Sequence, residues 1–207
     1  MNRSLRAVIL IALLAGAWPA AAQDARLIQD TACHCDPGQP ETMQARQCGL
    51  CREAEKQPDD VAVFFLKDIN PRKPNRWLAL PRQHGPGMHG VSALSRAQRT
   101  AFWKGAIEKA RAMWGGEWGL AINGHRVRSQ CHGHVHIGRM LEEAREIDAL
   151  LSPEGQRRPR TEPRVVKSIE DIPAPEEGEG MWVHPAGGKY HVHIEAPATA
   201  TEFILLR

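Results

Sequence analysis

Apolar positions along this chain fall into several short runs and one long stripe. Val61-Ala62-Val63-Phe64-Phe65-Leu66 is a continuous, β-rich run and predicts a buried strand. Arg76 to Leu80 predicts a second strand, stopped by Pro81, and the turn residues from Asp68 to Asn75 make the two a hairpin-like pair with a long turn. Ser95-Arg96-Ala97-Gln98 reads as a capping box. Behind it, Phe102, Ala106, Ala110 and Met113 recur at helical spacing, and Trp103, Ile107 and Trp114 widen the stripe, which predicts one long helix ended by Gly115-Gly116. Trp118 to Asn123 predicts a third strand. A polar turn over Gly124 to Ser129 leads to a fourth, which should pair with it antiparallel. Leu141, Ala144, Ile147, Leu150 and Leu151 share one side of a second, shorter helix over 141–151. A linker over 152–163 and an acidic loop over 173–180 follow. Met181 to His184 and Tyr190 to Glu195 predict a C-terminal β-hairpin, and Glu202 to Leu206 a last strand. The fold class is α+β, with an antiparallel sheet.

The N-terminal residues stand apart from this pattern. Arg3 and Arg6 make a positive start, Ala7 to Trp18 is apolar but short for a bilayer, and Pro19-Ala20-Ala21-Ala22 supplies small residues for cleavage. Residues 1–22 therefore predict a signal peptide, with an uncleaved N-terminal anchor as the alternative. Either places the chain outside the cytoplasm, periplasmic or secreted. Residues 23–207 then form a single domain, with a core over about 60–151 and a C-terminal extension over 164–207. The formal charge is +3, and removing Arg3 and Arg6 leaves about +1, so nucleic acid is not an expected partner.

Chemistry concentrates in the fourth predicted strand. His132, His134 and His136 alternate, and a period of two places them on one strand face, about 7 Å apart. Imidazole is nucleophilic, basic and metal-binding near neutral pH, so the triplet predicts a catalytic phosphate site or a metal site. His-Val-His-Ile recurs at His191 to Ile194, where the two histidines read as exposed strand residues. All five cysteines follow the leader. Cys33, Cys35, Cys48 and Cys51 suggest two disulfides joining the first pair to the second, with Cys131 left as a free thiol and thiolate-bound zinc as the competitor.

Together these residues resemble the histidine-triad superfamily. The His-x-His-x-His strand carries its signature. Phe64 to Pro71, followed by Trp77 to His84, looks like its nucleotide-binding hairpin, and Leu120-Ala121-Ile122-Asn123 looks like its Asn-bearing strand. Within the superfamily, the chain is most similar to exported CDP-diacylglycerol pyrophosphatases. Leu66-Lys67-Asp68, Leu120 to Asn123, and Arg128-Ser129-Gln130 ahead of His134-Val135-His136-Ile137 carry that likeness. Gly133 departs from the family's apolar spacer, and the loop over Gln83 to Gly90 carries His84 and His89, unlike the lipid-specific branch.

The resemblance implies hydrolysis of a nucleotide phosphoanhydride without a metal cofactor. His134 would be the nucleophile and form a phosphohistidine. His136 would donate to the non-bridging oxygens, and His132 would orient the imidazole or help protonate the leaving group. Asp68, Asn123, Gln130, Lys67 and His84 would contact substrate. CDP-diacylglycerol, giving CMP and phosphatidate, is the expected substrate, with contact at a membrane surface; a soluble nucleotide substrate for hydrolysis or nucleotidyl transfer is the alternative. Zinc on Cys48, Cys51, His132 and another histidine is the rival role for those residues, and a non-enzymatic secreted metal-binding domain is the rival function. Relatives of this kind often pair as homodimers, which leaves a homodimer open.

Overall fold

The computed structural model describes residues 33–84, 90–146, 149–151, 157–159, 163–176 and 178–206. The expected leader, residues 1–22, lies outside them. In chain order the elements are helix α1 (Gly49–Glu55), strands β1 (Phe64–Lys67) and β2 (Trp77–Leu80), helix α2 (Arg96–Trp114), strands β3 (Trp118–Ile122) and β4 (Val135–Arg139), helix α3 (Glu142–Glu146), and strands β5 (Ala149–Leu151), β6 (Arg157–Pro159), β7 (Arg164–Val166), β8 (Gly180–Ala186) and β9 (Lys189–Glu195). Seven strands form one antiparallel sheet in the order β1-β2-β4-β3-β8-β9-β7, and β5 pairs with β6 separately. The expected α+β class, with one long helix, holds.

Alternation along the strands divides the sheet into two faces. Phe65, Ala79, Ile137, Leu120, Val183 and Val192 face α2, which buries Phe102, Trp103, Ala106, Ile107 and Ala110 against them. Cutting one of the large residues here to alanine costs about 3 kcal/mol. The α2 capping box forms as expected: the Gln98 N–H donates to Ser95 Oγ, and the Ser95 N–H donates to Gln98 Oε1 at 2.9 Å. Gly115, with φ +57°, supplies the left-handed turn that ends the helix. Met113 is 38% exposed and lies outside this core, at the edge of the stripe.

The opposite face carries the row Leu66–Leu78–His136–Ala121–Trp182–His193, one residue from each of six neighbouring strands. Two separate segments cover it. Helix α1 packs on Phe64 and Leu80 through Ala54 and Leu50. At the other side a 3-10 turn, Thr201–Ile204, and Leu205 pack with α3 on Ala121 and Trp182. Gly119 and Gly138 face each other across β3 and β4, and a Cβ on Gly119 would come within 2.7 Å of the Leu205 side chain. These two glycines let the C-terminal segment lie flat on the sheet.

Several expectations are corrected. A helix for which the apolar pattern gave no sign, α1, lies ahead of the first strand. The helix over 141–151 is only five residues long, and Ala149–Leu151 is a strand. The last predicted strand is the 3-10 turn, with a single bridge from Leu205 to Met140. The disulfides join Cys33 to Cys131 and Cys35 to Cys48, so the free and buried cysteine is Cys51, not Cys131. Cys33–Cys131 clamps the segment ahead of α1 to the segment ahead of β4.

Candidate active site

Between α1 and the C-terminal turn lies a cleft of about 750 Å³. His134 and His136 line it, with Lys67, Asp68, Asn123 and Gln130 among its other walls. Six of the eight candidate residues thus share one cleft. His132 and His84 do not line it.

The reason for that split is local. Only Val135–Arg139 is a strand, and Cys131 to His134 bend ahead of it, so the period of two does not extend to His132. The His132 ring is fully buried against His84, with centroids 5.4 Å apart. His84 Nε2 lies 2.6 Å from Glu55 Oε1 on α1, and burial lowers the His84 pKa against the pull of that carboxylate. His132 reaches the cleft through its backbone. Its carbonyl accepts from His134 Nδ1–H at 2.9 Å. A carbonyl accepts only, so neutral His134 carries its proton on Nδ1 and its lone pair on Nε2. Burial lowers the His134 pKa, so the ring is neutral at pH 7.

Gln130 joins the cleft to α1: its Oε1 accepts from the Leu50 N–H at 3.2 Å, and its Nε2 donates to the Arg46 carbonyl at 3.3 Å. Asp68 uses Oδ1 to accept from the Asn70 N–H at 2.9 Å, a local turn bond. Among the described residues its other oxygen accepts no hydrogen bond. Lys67 lies 5.5 Å from the Trp77 ring centroid.

Residues outside those eight candidates complete the site. Arg46, Lys73 and Arg128 add cations to the cleft wall, and Glu202 from the C-terminal turn adds a carboxylate. Glu202 Oε2 pairs with Lys73 and, at 2.6 Å, with Arg76 Nη1. Arg76 is 1% exposed and also donates to the Leu205 and Leu206 carbonyls. Burial disfavours the Glu202 anion, but protonated His136, Lys73 and Arg76 outweigh it and hold the carboxyl at about 2. His136 is pushed down to about 3, chiefly by burial, with Glu202 opposing.

The zinc alternative on Cys48, Cys51 and His132 does not fit this arrangement, because Cys48 is oxidised to Cys35. Cys35, Cys48 and Cys131 bring their sulfurs within 4.8 Å of one another, but each is spent in a disulfide. Burial raises the Cys51 thiol to about 11, against a backbone hydrogen bond from His132. The second His-Val-His-Ile segment also departs from expectation. His193 is 2% exposed and stacks on Trp182, with ring centroids 3.6 Å apart. His191 is half-buried.

No protein-family model matches the chain, and no curated protein matches it. Among the described residues, no helix is long and apolar enough to cross a membrane.

Proposed function

We propose that the chain is an exported hydrolase of a nucleotide phosphoanhydride that works through a phosphohistidine on His134, in the manner of the histidine-triad superfamily. The observation that carries this reading is the His134 ring. Its Nδ1–H is held by the His132 carbonyl, so the Nε2 lone pair is left for attack in a cleft walled by Arg46, Lys67, Lys73 and Arg128. A neutral, oriented imidazole beside cations suits attack at an anionic phosphorus. The His132 carbonyl then also stabilises the positive ring of the adduct.

The cleft is large enough for a nucleotide. Leu50, Leu66 and Leu78 offer apolar surface for a base, and Asp68 an acceptor for ribose hydroxyls. Ile69 at the rim is 96% exposed, between Lys67 and Arg72, an arrangement that favours a lipid-linked nucleotide at an anionic surface over a soluble one. CDP-diacylglycerol, the substrate that the family resemblance implies, suits this rim, with CMP and phosphatidate as products. The apolar segment at Ala7 to Trp18 and the two disulfides support export.

Turnover of CDP-diacylglycerol in oxygen-18 water tests this. The label is expected in CMP. Label in phosphatidate means attack at the lipid-side phosphorus and rejects the mechanism. Turnover of soluble dinucleotides alone would replace the substrate and keep the nucleophile.

A further inference from the structure

A carboxylate in a phosphate cleft needs a reason, since it repels the substrate. Glu202 has one in the hydrogen bonds around Asn123. The Glu202 backbone N–H donates to Asn123 Oδ1 at 3.1 Å. A backbone N–H only donates, so this fixes which end of the amide is oxygen. Asn123 Nδ2 therefore points at His136 Nε2 and at Glu202 Oε1, each at 3.3 Å. That nitrogen carries two protons and no lone pair, one proton for each contact. His136 Nε2 must then be the acceptor, and the proton of the neutral ring sits on Nδ1. Nδ1 is buried, has no hydrogen-bond partner among the described residues, and lies 3.7 Å from Glu202 Oε2.

This bears on the role of His136, which by resemblance alone would donate to phosphate oxygens. A neutral Nδ1–H ring has no proton on Nε2 to give. We infer that Glu202 is a positioning residue that holds His136 in the Nδ1–H form and stabilises its imidazolium, so that His136 Nε2 receives the proton of the water that hydrolyses the His134 adduct. The inference rests on the phosphoryl-transfer reading above. In the step, the water oxygen bonds to phosphorus and the phosphorus–Nε2 bond of His134 breaks. The bonding pair returns to His134, which becomes neutral again. The water proton passes to His136 Nε2, displacing the Asn123 contact, and is later released to solvent.

The charges around His136 explain why a carboxylate is needed. Lys73 and Arg76, from the β1–β2 connection, and His134, from the lead-in to β4, all oppose its protonation. Asn123 at the end of β3 and Leu78 on β2 are neutral. Glu202 is the anion that opposes Lys73, Arg76 and His134 and favours the imidazolium. Without it, His136 would accept a proton against three cationic neighbours, counting the adduct-bearing ring.

Two measurements test this. The first is nitrogen-15 NMR of the His136 ring in the wild-type chain at pH 7, which needs no variant and no substrate. Protonated Nδ1 and unprotonated Nε2 are expected, and a proton on Nε2 overturns the inference. The second is pre-steady-state kinetics of Glu202→Gln and Glu202→Asp. In the Gln variant, breakdown of the adduct should slow about 100-fold, the range of a lost general base, while adduct formation changes only a few-fold. Loss of the anion destabilises the imidazolium, so the acid limb of the breakdown step moves to lower pH. The Asp variant should recover most of the rate. Equal loss in both steps with an unmoved limb contradicts the inference. If the Gln variant does not fold, the wild-type tautomer and the Asp variant decide. Absence of any adduct with any nucleotide phosphoanhydride would sink the phosphoryl-transfer reading and leave the tautomer result standing separately.

Discussion

The same four residues, His-Val-His-Ile, occur at His134 to Ile137 and at His191 to Ile194, and the fold gives them different surroundings. Their second histidines even share a row on one face of the sheet, His136–Ala121–Trp182–His193. Above His136 come Asn123 and Glu202, and beside it His134 lies 4.9 Å away, ring to ring. His193 instead lies nearly parallel to the Trp182 indole, at an interplanar angle of 4°. The first segment opens on a bend, which frees the His132 carbonyl to hold His134. The second lies wholly within β9, so its backbone groups run along a strand between β8 and β7. What crosses the face of the strand, and where the strand starts, decides whether imidazole does chemistry or packs.

The largest contrast should come from removing the proposed nucleophile. His134→Ala should lower turnover of CDP-diacylglycerol at least ~1000-fold, because the imidazole oriented for attack by the His132 carbonyl is then gone. His191→Ala should leave turnover within a few-fold. Similar losses from both would mean that the two segments share one site.

Acid should separate the segments next. His136 is pushed from an ordinary histidine value down to about 3, so the unfolded chain binds a proton that the folded chain refuses. The stability from neutral His136 is complete above pH 6.5 and is lost as pH falls toward 3. Urea unfolding should show at least about 2 kcal/mol less stability at pH 5 than at pH 7. Glu202 adds to this only below about pH 4.5, since its carboxyl is depressed and its contribution is lost as pH falls toward 2. His136→Gln should remove about 2 kcal/mol of the loss between pH 7 and 5, leaving the share of His84 and His134, whose pKa values burial also lowers. An unchanged profile in that variant would locate the acid sensitivity elsewhere.

The smallest effect concerns the packed histidine. His193→Ala removes a ring stacked in a buried site, and should cost about 1–2 kcal/mol by chemical denaturation. Turnover per folded molecule should stay within a few-fold. A loss of turnover with unchanged stability would give His193 a role at the cleft.

Much of the sheet was legible because its strands are short apolar runs with clear turn residues between them. The α2 stripe and its cap were legible for the same reason. Helix α1 was not: Leu50 and Ala54 are too few apolar positions to set a period within a Cys- and Gly-containing stretch. The 141–151 segment carries helical spacing, yet the helix keeps only Glu142–Glu146, and Ala149–Leu151 instead pairs with β6, a partner that local spacing does not encode. Cysteine spacing favoured local pairs, whereas Cys33 joins a partner 98 residues away, a tertiary fact that spacing does not encode. His134, His136 and Asn123 were legible from the order of three motifs. Glu202 was not, because one acidic residue in a C-terminal apolar run says nothing of folding back onto Asn123. His132 was misplaced on the catalytic face because alternation fixes a face only while the backbone stays extended.

The most direct test of the account is to trap the adduct. The wild-type chain would be mixed with CDP-diacylglycerol, quenched within the first turnover, digested, and its histidine peptides mapped by mass spectrometry under conditions that preserve phosphoramidates. A cytidylyl group is expected on His134 alone, formed and lost at rates that match turnover. A kinetically competent adduct on His136, His191 or His193, or turnover at full rate with no adduct on any histidine, would contradict it.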